Sequence, residues 1–337
     1  MKVFMVGGTG LLGSEAAAEL IRRGHEVVSV ALPPLPPGAV LPPEMKIEFG
    51  NILEMSDEAI KTLMSGCEGF IFAAGVDERV EGPPPIYDMY KKFNIDPVKR
   101  LLAIGKSAGV KHAVILGSYF SYLDKKKPEM QLTKWHPYIR SRRDQEAAAL
   151  AFADGDFNVA VLELPYIFGT QPGRKPVWLF LVEMIRGMKK STFYPAGGTT
   201  MVTVKQVGQA IAGALEKNKG GSCYPIGWYN MTWKQMLAIM HRYLGFPDRK
   251  IITIPKWMFD LNAKKMRKEQ KAHNIDGGLN LLKLGEIQCS ELFIDKSEGS
   301  EPLGVKPDDI EAAIGDSIKL CIEILDQKLQ TVGMKGE

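Results

Sequence analysis

The chain opens on a short apolar run, Val3 to Val6, which passes at once into Gly7-Gly8-Thr9-Gly10-Leu11-Leu12-Gly13 and then into a stretch with Ala16, Ala17, Leu20 and Ile21 on one side. The run reads as a strand and the stretch as an amphipathic helix, so glycines at 7, 10 and 13 fill the turn between them. Each has its own task. Gly7 permits the tight turn, Gly10 lets the backbone approach a bulky anion, and Gly13 lets helix and strand pack closely. The unpaired N–H groups and positive dipole end of the helix then face the anion. The pattern predicts a cradle for the pyrophosphate of a dinucleotide, with Thr9, Leu11 and Leu12 beside the glycines.

The rhythm that this unit sets continues through the first half. Apolar runs at Glu26 to Ala31, Lys46 to Phe49, Gly69 to Ala73, His112 to Leu116 and Asn158 to Leu162 alternate with helical patterns such as Leu12 to Arg23 and Ile86 to Ala108. Such repeats predict an α/β fold, a doubly wound parallel Rossmann sheet with helices on both faces. Two features interrupt it. Pro33-Pro34-Leu35-Pro36-Pro37, closing with Pro42-Pro43, cannot join a ladder and forms a stiff loop after the second strand; it is either a rigid connector or a wall of the adenosine pocket. After Phe168 the segment Gly169 to Lys175 is rich in Gly and Pro. Residues 1–168 are therefore expected to form the dinucleotide-binding domain, with returns to it near 200–226. Residues 169–337 are expected to form mainly a smaller substrate-binding lobe, with helices at Val177 to Lys189, Lys205 to Lys217, Thr232 to Leu244 and Asp308 to Leu329.

Composition closes several other routes. Among 337 residues, 45% are hydrophobic and 24% charged, ordinary for a soluble globular enzyme, and the net charge of +4 is too small and scattered for a nucleic-acid binder. The densest basic stretch, Lys264 to Lys268, reads as a solvated helix face. The four cysteines hold no CxxC pair and the five histidines no HExxH, which argues against a zinc site and a disulfide framework and for a reducing cytoplasm. No apolar run reaches the roughly 18 residues that span a bilayer, and the start lacks the regions of a signal peptide.

At the end of the second strand, Ser29-Val30-Ala31-Leu32-Pro33 offers no carboxylate for the adenosine ribose. The usual device for selecting NAD is missing, and without its repulsion the expected cofactor, NADP or NAD, shifts toward NADP. These residues resemble the extended branch of the short-chain dehydrogenase/reductase superfamily, the NAD(P)-dependent epimerase/dehydratase-like proteins. The resemblance covers nearly the whole chain. It implies a cofactor contact at Asn51 and Ile52 in Gly50-Asn51-Ile52, where the family carries Asp; at the small-residue turn Ala73-Ala74-Gly75; and at Asn94. It also implies that Pro165 and Ile167, in Leu164-Pro165-Tyr166-Ile167-Phe168-Gly169, meet the nicotinamide, although the family's Arg is Leu164 here.

The family's catalytic signature is a Ser or Thr, then Tyr-x-x-x-Lys on a helix. Ser118 stands at the hydroxyl position, ahead of the less suitable Ser121, and Tyr138 to Glu146 resembles the second element with Arg142 in place of Lys. Tyr138 and Arg142, one helical turn apart, share a face. The resemblance gives Tyr138 the proton transfer, Ser118 the polarisation of the substrate oxygen, and residue 142 the nicotinamide ribose and the lowering of the phenol pKa. Bringing a phenol from near 10 to about 7 takes roughly 4 kcal/mol. A cation about 4 Å away at an effective dielectric near 20 supplies about that much. Arg142 matches on charge but not on shape, since a guanidinium cannot pass on a proton.

In the second half, Trp178, Phe180, Phe193, Tyr194, Trp228, Tyr229, Trp233, Trp257 and Phe259 are candidates for an apolar substrate pocket. Arg174, Arg186, Lys189 and Lys190 are candidates for holding a diphosphate instead. The leading expectation is a reductase or dehydrogenase that moves hydride between nicotinamide and a carbonyl or alcohol of a small molecule. Two others stand beside it: a nucleotide-sugar epimerase or dehydratase, and a dinucleotide-binding sensor or partner protein that has lost turnover. Dimerisation through helices of the Rossmann domain is what the resemblance adds.

Overall fold

In the computed structural model, which describes residues 1–327 and 329–332, seven strands form the main sheet. They are β1 (Lys2–Val6), β2 (Glu26–Ala31), β3 (Lys46–Phe49), β4 (Gly69–Phe72), β5 (His112–Leu116), β6 (Asn158–Glu163) and β7 (Gly221–Pro225). Their order is β7-β6-β5-β4-β1-β2-β3, and every pair is parallel. The winding therefore reverses between β1 and β4, which opens a crevice at the carboxyl ends of the strands, directly above the glycine loop.

Burial on both faces explains why the strands read as unbroken apolar runs. Along β1, Val3 and Met5 pack with Ala16, Ala17 and Leu20 of helix α1 (Leu11–Arg22), while Phe4 and Val6 point the other way, to Phe70, Phe72 and Leu102. Helix α2 (Tyr119–Lys126) follows β5, and α3 (Pro137–Leu150) begins on Pro137, whose missing N–H costs nothing at a helix start. Helix α4 (Val204–Lys217) and β7 return to the sheet after the excursion that begins at Gly169; α4 lays Val207, Ile211 and Leu215 on the α1 side.

The expected helix from Ile86 to Ala108 is interrupted. Tyr87–Tyr90 and Asp96–Ala108 are joined by a π turn at Lys91–Ile95. Pro97 has no N–H to continue the ladder, and the widened turn absorbs the gap.

The second half builds its own core. The strand Gly198–Thr203 pairs with Tyr166–Phe168, Tyr229–Thr232 and Glu291–Leu292. Trp178, Leu181, Met236 and Ile314 pack around it from three helices and a preceding turn. The last long helix spans Ile310–Gln327. Residues 328 and 333–337 of the expected lobe lie outside the described residues. Among the described residues no helix is long and apolar enough to cross a membrane.

Candidate active site

The glycine turn has the shape that its sequence asks for. Gly7 sits at φ +93, and a Cβ there would stand 2.5 Å from the Ala73 carbonyl oxygen. At Gly13 a Cβ would stand 2.2 Å from the Gly7 oxygen, so helix and strand meet backbone to backbone. The Gly10 N–H donates to Gly7 O at 3.0 Å and curls the loop. No side chain caps α1 and no acid stands in its first turn, which leaves its positive end for an anion. Gly7, Thr9, Gly10, Leu11 and Leu12 line one cavity of about 1070 Å³, ample for a dinucleotide with a second molecule beyond it.

Further along that cavity stand Ser118, Tyr138 and Arg142. Ser118 caps α2, its Oγ accepting from the Phe120 N–H at 3.4 Å, so its own hydrogen is available to a substrate oxygen. On α3 the Arg142 Nε donates to the Tyr138 hydroxyl at 3.0 Å. The rest of the guanidinium is held by Gln145 Oε1 at 2.9 Å, Val76 O at 3.3 Å and Leu116 O at 3.5 Å. Packing fixes the phenol as well, with Tyr90 edge-on at 5.3 Å and Phe120 at 6.2 Å. Burial nevertheless raises the Tyr138 pKa, and Arg142 offsets only part of the rise. Desolvation of the enclosed ring outweighs one cation already shared among four acceptors.

The remaining candidates divide. Asn51, Ile52, Ala73, Ala74, Gly75, Pro165 and Ile167 line the cavity, and the Asn51 carboxamide is turned to Glu54 and the Leu53 N–H. Asn94 and Gly13 do not line it. Fully buried in the π turn, Asn94 clamps Val76 through both N and O, at 2.9 and 3.0 Å, and its carbonyl accepts from Gln145. Its place is behind the wall, where it positions the strand-end loop on which Arg142 leans. Of the aromatic candidates, Trp178, Phe180, Tyr194, Trp233 and Phe259 face the cavity, whereas Phe193, Trp228, Tyr229 and Trp257 do not. Of the four candidate cations only Arg174 reaches it; Arg186 is paired with Asp326.

Sequence reasoning missed three participants. Gln145 and the carbonyl of Val76 complete the Arg142 cage, and Glu78 lines the cavity with its carboxyl raised to about 7, chiefly by burial and then by Asp77. Gln145 falls one turn beyond Arg142, a spacing that does flag it; nothing local flags Glu78. The segment Gly277-Gly278-Leu279 closes the wall. Tyr138 donates its N–H to Gly278 O at 2.9 Å, and the buried His136, held neutral with its pKa pushed down to about 4 by burial, accepts from the Asn280 N–H at 3.0 Å.

Comparison with known proteins agrees with this geometry. The NAD dependent epimerase/dehydratase family matches residues 3–227. A UDP-glucose 4-epimerase of Lactobacillus helveticus is 28% identical over 177 residues, 49% of this chain and 51% of that protein, so the chain matches about half of its length. A putative dihydroflavonol 4-reductase of Synechocystis sp. (strain ATCC 27184 / PCC 6803 / Kazusa) is 21% identical over 333 residues, 94% of this chain and 93% of the relative. The crystal structure of gox2253 superposes with a TM-score of 0.76 at 18% identity, covering 98% of this chain and 99% of that one. The UDP-glucuronic acid 4-epimerase from Bacillus cereus, in complex with NAD, gives 0.67 at 13% identity, covering 96% and 99%. At these identities the two structures speak for the fold.

Proposed function

This chain belongs to the NAD dependent epimerase/dehydratase family, and from that premise we propose that it oxidises a carbinol carbon of a nucleotide-linked sugar and returns the hydride, as an epimerase or dehydratase does. A bound nicotinamide dinucleotide supplies the hydride acceptor and donor. The observation that carries the reading is the Tyr138 hydroxyl, 3.0 Å from Arg142 Nε, on the wall of the cavity that begins at the glycine loop. Arg142 favours the ionised phenol against the desolvation that raises its pKa; in that form Tyr138 would take the hydroxyl proton of the substrate as its C–H hydride departs, and give it back when hydride returns to the carbonyl form. Ser118 would donate to the substrate oxygen. Arg142 keeps its own protons, and the cycle asks none of it, because the proton that Tyr138 takes is the one it returns.

Of the expectations drawn from sequence, the reductase stated first has less support than the epimerase alternative, which the family and the names of several relatives favour. The family also speaks for an enzyme over a sensor without turnover, and its NAD-bound relatives support NAD as cofactor; a preference for NADP remains a proposal. One observation keeps the reductase as a second reading. Much of the cavity wall is apolar, with Trp178, Phe180, Met184, Trp233, Phe259 and Met266.

The test is to denature purified protein and assay released nicotinamide, then offer UDP-hexoses and a panel of aromatic and aliphatic ketones. Stoichiometric nicotinamide and an epimerised or dehydrated UDP-sugar are expected. Consumption of reduced cofactor on a ketone, with no UDP-sugar turned over, moves the assignment to the reductase.

A further inference from the structure

Arg174 reaches the glycine loop from 165 residues away. Its Nη2 donates to Thr9 Oγ1 at 3.1 Å and its Nε to Thr9 O at 3.4 Å. The loop that carries it is anchored on both sides. Gln171 bonds both Val40 N, at 3.2 Å, and Val40 O, at 3.0 Å. Gly173, at φ +75, lies so near the backbone of Pro37 that a Cβ would stand 2.3 Å from its oxygen. Val332 donates to Gly173 O at 2.8 Å and accepts from Lys175 N at 3.2 Å.

Val40 and Pro37 belong to the proline-rich loop after β2, the strand whose end reads the adenosine ribose in folds of this kind. The guanidinium thus meets the glycine loop while its own loop leans on the proline-rich loop after β2, and it lines the cavity wall. Among the described residues no carboxylate pairs with Arg174, and burial lowers its pKa with no charged neighbour opposing. Two of its five N–H donors are occupied, both by neutral oxygens, so a half-buried cation keeps free donors toward the cavity.

We propose that Arg174 binds a phosphate group on the adenosine half of the dinucleotide, so that the loop 169–175 closes on the cofactor. This rests on the dinucleotide reading above. Two phosphates share the chemistry: a 2′-phosphate on the adenosine ribose, for which β2 leaves room by ending in Ala31 and Leu32, and the pyrophosphate on α1.

The experiment titrates the full chain and its Arg174→Met and Arg174→Lys variants, each first stripped of co-purified nicotinamide and shown to be free of it, with NADH and NADPH by fluorescence, and melts a separate sample of each without ligand. Met should weaken binding at least tenfold, with Lys intermediate because a point charge replaces the planar fork. A loss confined to NADPH assigns the 2′-phosphate; an equal loss for both assigns the pyrophosphate. If the Met variant melts early, the Lys variant decides alone. Both variants binding both cofactors within twofold of the parent overturns the proposal. A parent that binds neither cofactor overturns the dinucleotide reading itself, and the role of Arg174 with it.

Discussion

Helix α3 buries charge at two successive turns in opposite ways. At the cavity, Arg142 donates only to neutral groups: a phenol, a carboxamide and two carbonyl oxygens. One turn further on, Glu146 is enclosed by Lys125 Nζ at 2.9 Å and Arg143 Nη1 at 2.5 Å, and Lys125 also reaches Glu163 at 3.0 Å. The second cluster neutralises itself. The first forms no direct ion pair, so the field of Arg142 reaches Tyr138 and Glu78 across the cavity wall and acts on whatever enters. Residual charge of that kind belongs to a reacting site, whereas closed pairing belongs to structure.

Removing one oxygen tests the division most severely. Tyr138→Phe should lower kcat at least about 100-fold, with the melting temperature little changed because the ring still packs against Tyr90 and Phe120. Turnover within threefold of the parent would show that the Arg142 cluster is not the reacting one.

A matched pair of cation deletions sharpens the contrast. Arg142→Met should cost roughly tenfold to a hundredfold in kcat, by loss of the phenolate's partner. Lys125→Met leaves Glu146 and Glu163 facing one another and should lower the melting temperature by several degrees with kcat unchanged. Lys125 is 34% exposed, so the full penalty of a broken buried pair is screened to roughly 1–2 kcal/mol. Equal effects of both deletions on turnover would break the comparison.

What could be read in the sequence follows the range of the interactions. The glycine turn and the Tyr138–Arg142 pair are local: a spacing of three in a turn, or four on a helix, fixes which groups meet. Alternating apolar runs likewise carry the parallel sheet. The π turn at Lys91–Ile95 escaped because a widened turn leaves the helical period almost intact. The resemblance marks Asn94 as a cofactor contact, yet its carboxamide faces Val76 and not the cavity, since only the fold sets which way a buried amide turns. Arg174 on Thr9, Glu78 on the cavity wall, and Lys125 between Glu146 and Glu163 join segments that no period relates. The aromatic residues of the second half show the same limit: helical spacing separates core from surface, and the closing of loops decides which core residues line a cavity.

The smallest expected effect concerns the self-neutralising cluster and its pH dependence. Burial raises the Glu163 carboxyl to about 7, against the pull of Lys125 and with the push of Glu146, and Cys223 beside them is raised to about 12 by the same desolvation. Between about 4.5, where an unfolded glutamate titrates, and about 7, the folded chain holds a proton that the unfolded chain has released. The contribution of Glu163 is therefore complete below about 4.5 and is lost as pH rises through about 7. Glu163→Gln carries the neutral form at every pH. Its melting temperature should match the parent's near pH 5 and exceed it by a few degrees at pH 8, with the cavity and its turnover untouched. A parent that gains on the variant as pH rises would mean that Lys125 holds Glu163 ionised, and the two clusters on α3 would then differ in geometry but not in how they manage charge.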